Sequence, residues 1–454
     1  MIDVDVHFEP PAPRVHGKPL PSWRLIATAL RNPLAAYSAE SFGSRSSRVS
    51  VLGRTTITLN HPDGVKHVLT THAHRYGRPV SVFRTVRWLM GDGLFLAEGE
   101  TWRKQRRLLA PLFSPAHVSE LLPHFVAAGR SLLARLDGRA EANLSSEFNE
   151  ATLDAVLRAL FSSPADSRGK DLARLTRYFL EGPGRPNLGD LLARAEGDFP
   201  ILARGRRRFR DEWQCATNTL IETRRDKRRP GGLRDLLDIL LTAQDPQTGA
   251  LLSSEGVRDQ TATMLFAGFE TTTRLLFWAA YLLAIDQGEQ QGLRDEVACF
   301  PPEQIESLED LKNWPRLKCV LLEALRLYPP VPQILRQALE ADEVLGESVV
   351  PGDLIWISPW TLHRHRNHWH EPTRFLPQRF AGQSQPWTQG AFIPFGSGPR
   401  ICIGASFAMA EAQILLAMLL QRFRIGLVDK RPVLPIGLTT SLPSYEPRFS
   451  LTPV

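Results

Sequence analysis

From Ser253 to about Ile285 the chain reads as one continuous helix, and a rod of that length limits what can form around it. Ser253 is a good N-cap, and Glu255 falls in the first turn, where the helix dipole favours an acid. At 1.5 Å per residue the rod is about 45–50 Å long, enough to cross a molecule of this size. Its middle reads Ala267-Gly268-Phe269-Glu270-Thr271-Thr272. Ala267, Gly268 and Thr271 share a face by their spacing of three and four. Two small residues there leave a hollow, and a threonine hydroxyl bonding back to the backbone can open the helix locally. A carboxylate and a hydroxyl side by side could pass protons to a ligand in that notch. The plainer alternative is close helix packing beside an ordinary glutamate.

A second stretch carries chemistry of its own. Residues 395–404 read Phe-Gly-Ser-Gly-Pro-Arg-Ile-Cys-Ile-Gly and run directly into a helical pattern that turns apolar from Ile414 to Leu420. The glycines and the proline supply tight turns and leave the backbone open to a flat partner. Cys402 then stands at a helix N-terminus, with Arg400 two residues earlier. Free N–H groups, dipole and cation all favour a thiolate over a thiol, and a thiolate is a strong single metal ligand. A lone cysteine is more commonly a small buried hydrophobe, so the reading depends on its surroundings.

The 454 residues allow one large domain or two to three ordinary ones, and a 43% hydrophobic share supports a sizeable core. Cys215, Cys299, Cys319 and Cys402 show no Cys-x-x-Cys spacing, which argues against a zinc site or a redox dithiol. The net charge of +7 reflects arginine runs at 204–210 and 224–229. These read as solvated helix faces. Nucleic-acid binding would need aromatics or a known module beside the charge, and neither is present. No long apolar run marks a signal or a membrane anchor, so the sequence predicts a soluble, cytoplasmic, bacterial-type protein.

Pro10, Pro11, Pro13, Pro19 and Pro21 predict an extended leader over residues 1–22. Alternation from Arg48 to Asn60 predicts a β-hairpin. Residues 78–98, mixed and glycine-bearing, read as a mobile, partly apolar loop. Helical patterns dominate 100–241, with breaks at 162–164, 181–184 and 230–232. Helices follow at 288–300 and 308–327, then short strands at 344–350 and 354–358. The fold class is mainly α, with small β-sheets at the edges. One domain over 1–454 is expected.

The ten residues around Cys402 resemble the haem-ligand loop of the cytochrome P450 family, Phe-x-x-Gly-x-Arg-x-Cys-x-Gly. Phe395, Gly398, Arg400, Cys402 and Gly404 match all five specified positions. The Ala267–Thr271 stretch resembles the family's oxygen-binding helix, Ala/Gly-Gly-x-Asp/Glu-Thr. That resemblance implies proton delivery by Thr271 with help from Glu270, and room for dioxygen at Gly268. Glu323-Ala324-Leu325-Arg326, with Arg379 in Pro377-Gln378-Arg379-Phe380, resembles the family's structural triad; the usual glutamate before that arginine is Gln378 here. The resemblance also implies that Trp102 and Arg106, at i and i+4, hold the haem propionates together with Arg336 and Arg400. Arginine suits carboxylates geometrically. His363, His365, His368 and His370 form no defensible metal spacing and read as structural.

These matches imply a helix-rich prism holding haem b between the long helix and the Cys402 loop. Iron would be bound by Cys402. The implied reaction is monooxygenation: one atom of dioxygen enters a C–H or C=C bond of a lipophilic substrate, and the other leaves as water. With no flavin or iron–sulfur extension after Val454, electrons are expected from separate proteins. These would be a ferredoxin or a flavodoxin-like donor with its reductase, docking on Arg103, Lys104 and Arg107. A monomer is expected. A peroxygenase or an isomerase/dehydratase of the same fold, and a non-catalytic haem sensor, remain as alternatives. Apolar residues such as Phe83, Trp88, Leu94 and Phe95 suggest an apolar guest, and Arg84 or Arg87 could pin a carboxylate.

Overall fold

The computed structural model describes residues 8–51, 53–162, 167–185, 187, 189–190, 204–226, 235–242, 244, 249, 251–382 and 389–454. Residues 227–229 of the 224–229 run, the 230–232 break and residues 163–164 lie outside these. The described helices are α1 (Ser22–Arg31), α2 (Pro62–Lys66), α3 (Val80–Met90), α4 (Gly99–Leu109), α5 (Pro115–Leu136), α6 (Leu144–Phe161) and α7 (Ser167–Glu181). They continue with α8 (Arg204–Asp226), α9 (Leu236–Thr242), α10 (Ser254–Ile285), α11 (Gln287–Cys299), α12 (Pro315–Leu327), α13 (Pro359–Leu362) and α14 (Ala405–Arg422).

The strands are β1 (Ser46–Val51), β2 (Arg54–Leu59), β3 (Tyr76–Gly77), β4 (Glu141–Ala142), β5 (Ile334–Ala338) and β6 (Asp342–Val344). After them come β7 (Glu347–Val349), β8 (Leu354–Ile357), β9 (Phe423–Leu427), β10 (Pro435–Gly437), β11 (Ser441–Pro443) and β12 (Phe449–Pro453). The largest sheet has the order β1-β2-β8-β5-β3, with β2 and β8 parallel. The predicted hairpin is β1–β2, turned at Gly53 with φ +72°.

Helix α10 runs for 32 residues from the Ser253 cap, whose side chain accepts from the Gly256 amide. It lies against α6, α12, α14, α3 and α8, so the rod is the shared wall of the core. Trp278 stacks on Tyr328 at 4.0 Å and its indole N–H donates to the Ser441 carbonyl, which joins α10 to the end of α12 and to β11. Among the described residues the leader before α1 carries no helix, yet it is anchored: Tyr328 donates to the Pro11 carbonyl, and the Phe375 amide to that of Phe8.

Two sequence expectations change. Ser22–Arg31 is a helix that the sequence reading did not single out. Residues 80–90 are helical, where a mobile loop was expected. Val86, Leu89 and Met90 bury one face of that helix, Pro79 stands at its N-cap and Gly91 ends it at φ +56°. The proline and glycines that suggested a loop are its boundary signals.

Candidate active site

The Cys402 loop is built by its glycines. The Cys402 amide donates to the Phe395 carbonyl at 2.9 Å and closes the loop on itself. Gly396 and Gly398 hold φ +78° and +71°, a region that suits glycine. At Gly398 a Cβ would stand 1.8 Å from the Leu69 carbonyl oxygen, so no side chain fits between the loop and the turn after α2. Gly404 caps α14, and its N–H reaches the Cys402 sulfur. Cys402 is accessible, yet burial pushes its thiol pKa up, against the Gly404 N–H and the Arg106 cation, which pull it down. The sulfur therefore opens on a space enclosed by protein. Without a metal, burial outweighs dipole and cation. A metal cation reverses that balance by sharing the anion directly.

On α10, every residue from Gln260 to Ala284 is buried except Ala267, Gly268 and Thr271. A small window thus interrupts an otherwise sealed helix, at the positions the sequence marked. Thr271 Oγ1 donates to the Ala267 carbonyl at 2.9 Å. Glu270 does not share the window. It is fully buried, accepts from Arg274 Nε at 2.7 Å, and accepts from the Thr440 hydroxyl at 3.1 Å. A Cβ on Gly268 would meet Val156 Cγ2 at 2.9 Å, so the missing side chain there admits α6.

Four arginines gather beside the loop. Arg400 donates to the Ala97 carbonyl at 2.9 Å, contacts Glu98, and lies over the Trp102 ring at 4.7 Å. Arg106 is close enough to feel the Cys402 charge. Arg336 is on β5. The sequence reading missed the fourth, Arg78. In the β3–β5 pairing Tyr76 faces Ala338 and Gly77 faces Gln337, so the next register position sets Arg78 opposite Arg336. The Arg78 side chain is 10% exposed, lies over Phe95, and reaches Glu98 at 3.5 Å. Burial, then the charges of Arg336 and Arg400, pull the Arg78 pKa down to about 9. Burial and Arg400 take Arg336 to about 10. Guanidinium groups opposed across strands repel, and Glu98 is the acid that faces them among the described residues. The cradle is built for added negative charge.

The triad assembles. Arg326 forms a two-pronged pair with Glu323 at 2.7 Å on each arm, and Arg379 Nε reaches the same carboxylate at 3.2 Å. Glu323 and Arg326 are fully buried. Arg326 also donates to the carbonyls of His363, Pro372 and Arg374, and Leu376 N–H donates to Glu323. The triad thereby ties α12 to residues 363–379. His363 Nε2 accepts from the Ile393 amide at 3.0 Å, which carries the tie to the edge of the Cys402 loop. Burial, then the Arg326 and Arg364 charges, lower the His363 pKa to about 3.

Glu411, on α14, is fully buried, and among the described residues neither carboxylate oxygen has a hydrogen-bond partner. Burial pushes its pKa well up, with Thr272 the polar neighbour that opposes this. Arg84 and Arg87, read as possible carboxylate pins, pair with Asp190 at 3.3 Å and Asp92 at 2.9 Å. Phe179 and Phe269 are sealed in the core.

The cytochrome P450 family model matches residues 38–452. Cytokinin hydroxylase of Arabidopsis thaliana is 31% identical over 418 residues, covering 88% of this chain and 79% of that protein. Cyclooctatin synthase of Streptomyces melanosporofaciens is 31% identical over 403 residues, covering 86% of this chain and 83% of the relative. The crystal structure of the cytochrome P450DA heme domain superposes with a TM-score of 0.79 at 23% identity, covering 99% and 98% of the two chains. The chain belongs to the cytochrome P450 family. It has that family's fold, its cofactor is haem b, and it is a haem-dependent monooxygenase that uses dioxygen, an organic substrate and a redox partner. The residues present fit the cofactor: an enclosed cysteine sulfur for iron, and an arginine cradle short of acid for two propionates.

Proposed function

We propose that Cys402 is the axial thiolate of the haem, that Trp102, Arg106, Arg336 and Arg400 hold its propionates with Arg78 as a fifth contact, and that the substrate is a lipophilic compound hydroxylated or epoxidised beside Thr271. The accessible sulfur enclosed by protein carries the reading. When bound, haem supplies the activation of dioxygen, and a thiolate ligand favours O–O cleavage. The protein does the rest. Gly404 and the closed 395–404 loop orient the sulfur. Glu323, Arg326 and Arg379 hold the strand-and-turn region behind it. The Thr271 hydroxyl stands at the window, poised to give up its bond to the Ala267 carbonyl and pass a proton outward. Glu270 can assist only by leaving Arg274, so it serves first as the partner of that arginine.

Electrons arriving from a separate acidic ferredoxin or flavodoxin-like protein, with its reductase, fit the exposed Arg103 and Arg107 on α4. Both are paired with Glu100, which a partner would have to displace. A cytoplasmic location is supported by cysteines that are all free. One unit over 1–454 is supported by the extent of the family match and by a single large hydrophobic cluster running from α3 to α14. Among the described residues no helix is long and apolar enough to cross a membrane.

The test is spectroscopic. Reduced protein under carbon monoxide should show the far-red-shifted band of a thiolate-ligated haem, lost in Cys402→Ser. Absence of the band in intact wild-type protein sinks the assignment of Cys402. Labelled dioxygen then separates oxygen insertion from isomerase or dehydratase chemistry.

A further inference from the structure

One arginine of the run read as a solvated face points inward. In α8, Arg204, Arg207 and Arg208 are exposed, whereas the Arg206 side chain is 7% exposed and its partner Asp190 is 0% exposed. Arg206 Nε donates to the Pro183 carbonyl at 2.7 Å. Nη1 donates to the Arg84 carbonyl at 3.1 Å and to Asp190 Oδ1 at 2.7 Å. Nη2 donates to the Arg185 carbonyl at 3.2 Å and to Asp190 Oδ2 at 2.6 Å. A guanidinium has five N–H donors, and all five are used. Arg84 Nε adds a second cation to Asp190 at 3.3 Å. One side chain thus fastens the start of α8, Pro183, Arg185, Asp190 and the middle of α3.

The stretch after α3 is held from the other side by α10. Asp92 N–H donates to Asp259 at 2.8 Å, and Leu94 N–H to Gln260 at 3.1 Å. Thr263 donates to the Met90 carbonyl at 3.2 Å. Asp259 and Thr263 stand on the same i, i+4 stripe that continues to Ala267 and Thr271, and each step along that stripe is about 6 Å. Helix α3 is therefore the wall next to the window, seated on α10 at its C-terminal end and on Arg206 at its middle.

We propose that Arg206, through Asp190 and the Arg84 carbonyl, is the positioning residue of this wall and sets how readily a bulky guest reaches the window. The proposal rests on the reading of that window as the substrate side of the haem. A buried fork of this kind is costly to break from one side, because the buried Asp190 carboxylate loses its two-pronged partner and keeps the longer Arg84 contact. The clasp therefore holds α3 in one place.

The test uses the haem-loaded full chain with clotrimazole as a bulky haem ligand and imidazole as a small one. Two variants are compared: Arg206→Lys, which keeps the charge and loses the fork, and the double variant Asp190→Asn with Arg206→Met, which removes both charges of the fork and takes the Asp190 carboxylate from Arg84. Amide exchange over residues 80–90 should rise at least about tenfold while residues 272–284 of α10 stay unchanged. The clotrimazole association rate should rise at least about fivefold, with imidazole held within about twofold. Unchanged exchange over 80–90, a parallel rise in α3 and α10, or equal changes for the two ligands would overturn the proposal. If wild-type protein gives no spectral response to either ligand, the haem reading fails instead, and the exchange data alone decide whether Arg206 seats α3.

Discussion

The Glu270 carboxylate is held by Arg274 one helical turn away, at 2.7 Å, inside the sealed part of α10 and next in sequence to the window threonine. The pair spends its charge on itself and on Thr440. Arg274→Gln leaves Glu270 buried without its cation and should cost about 3–5 kcal/mol of stability. Glu270→Gln strands Arg274 in the same way. A variant in which apolar residues replace both should regain most of the loss. Thermal unfolding of the three variants decides it; additive losses would mean the two side chains do not act as a pair.

Among the described residues the Thr271 hydroxyl bonds only to its own helix, at a half-exposed position. Thr271→Ala should fold and take up haem as the wild type does. Product formed per dioxygen consumed should fall by about tenfold or more, since positioned proton donors contribute on that scale or above. Oxygen uptake measured beside product yield is the check. Full coupling in the alanine variant would remove Thr271 from the reaction.

Arg78 and Arg336 oppose each other across β3 and β5 with little acid nearby. Arg78→Gln should act in opposite directions on the two states. Without haem it relieves repulsion, so unfolding should shift slightly upward or not at all. With haem it removes a charge-assisted bond of about 1.5–3 kcal/mol, and haem transfer to apomyoglobin should speed up about tenfold or more. Unchanged haem loss would show that Arg78 does not touch the cofactor.

His363 is buried and neutral, with its pKa lowered to about 3. A histidine held below its unfolded value near 6.5 adds stability that is fully present above pH 6.5 and is lost as pH falls from there toward 3. At pH 4.5 the loss from this one group is about 3 kcal/mol. His363→Gln keeps an acceptor for the Ile393 amide and does not titrate. Stability measured from pH 7 to 4.5 should therefore fall less steeply in the variant, and matching slopes would exclude His363 as the cause.

The features legible in the sequence are those whose partners lie within a turn or two along the chain. Phe395 to Gly404 is a loop that closes on itself, so its glycines and its cysteine announce it. The Ser253 cap, the small residues at 267 and 268 and the Glu323–Arg326 pair are equally local. Helix α3 was lost because its boundary residues were read as its substance, and Arg206 because the exposed arginines at 204, 207 and 208 masked its inward position.

The sequence by itself determined the cysteine, the helix that carries the threonine, and the order of the segments that meet around them, because backbone propensity and short-range spacing write these directly. Tertiary structure decided which groups are charged and which are in use. It raised the Cys402 pKa by enclosing the sulfur, set Thr440 on the buried Glu270, filled the space at Gly268 with Val156, and set Arg78 against Arg336. Burial and electrostatic pairing depend on residues tens to hundreds of positions away, and those distances close only when the chain folds.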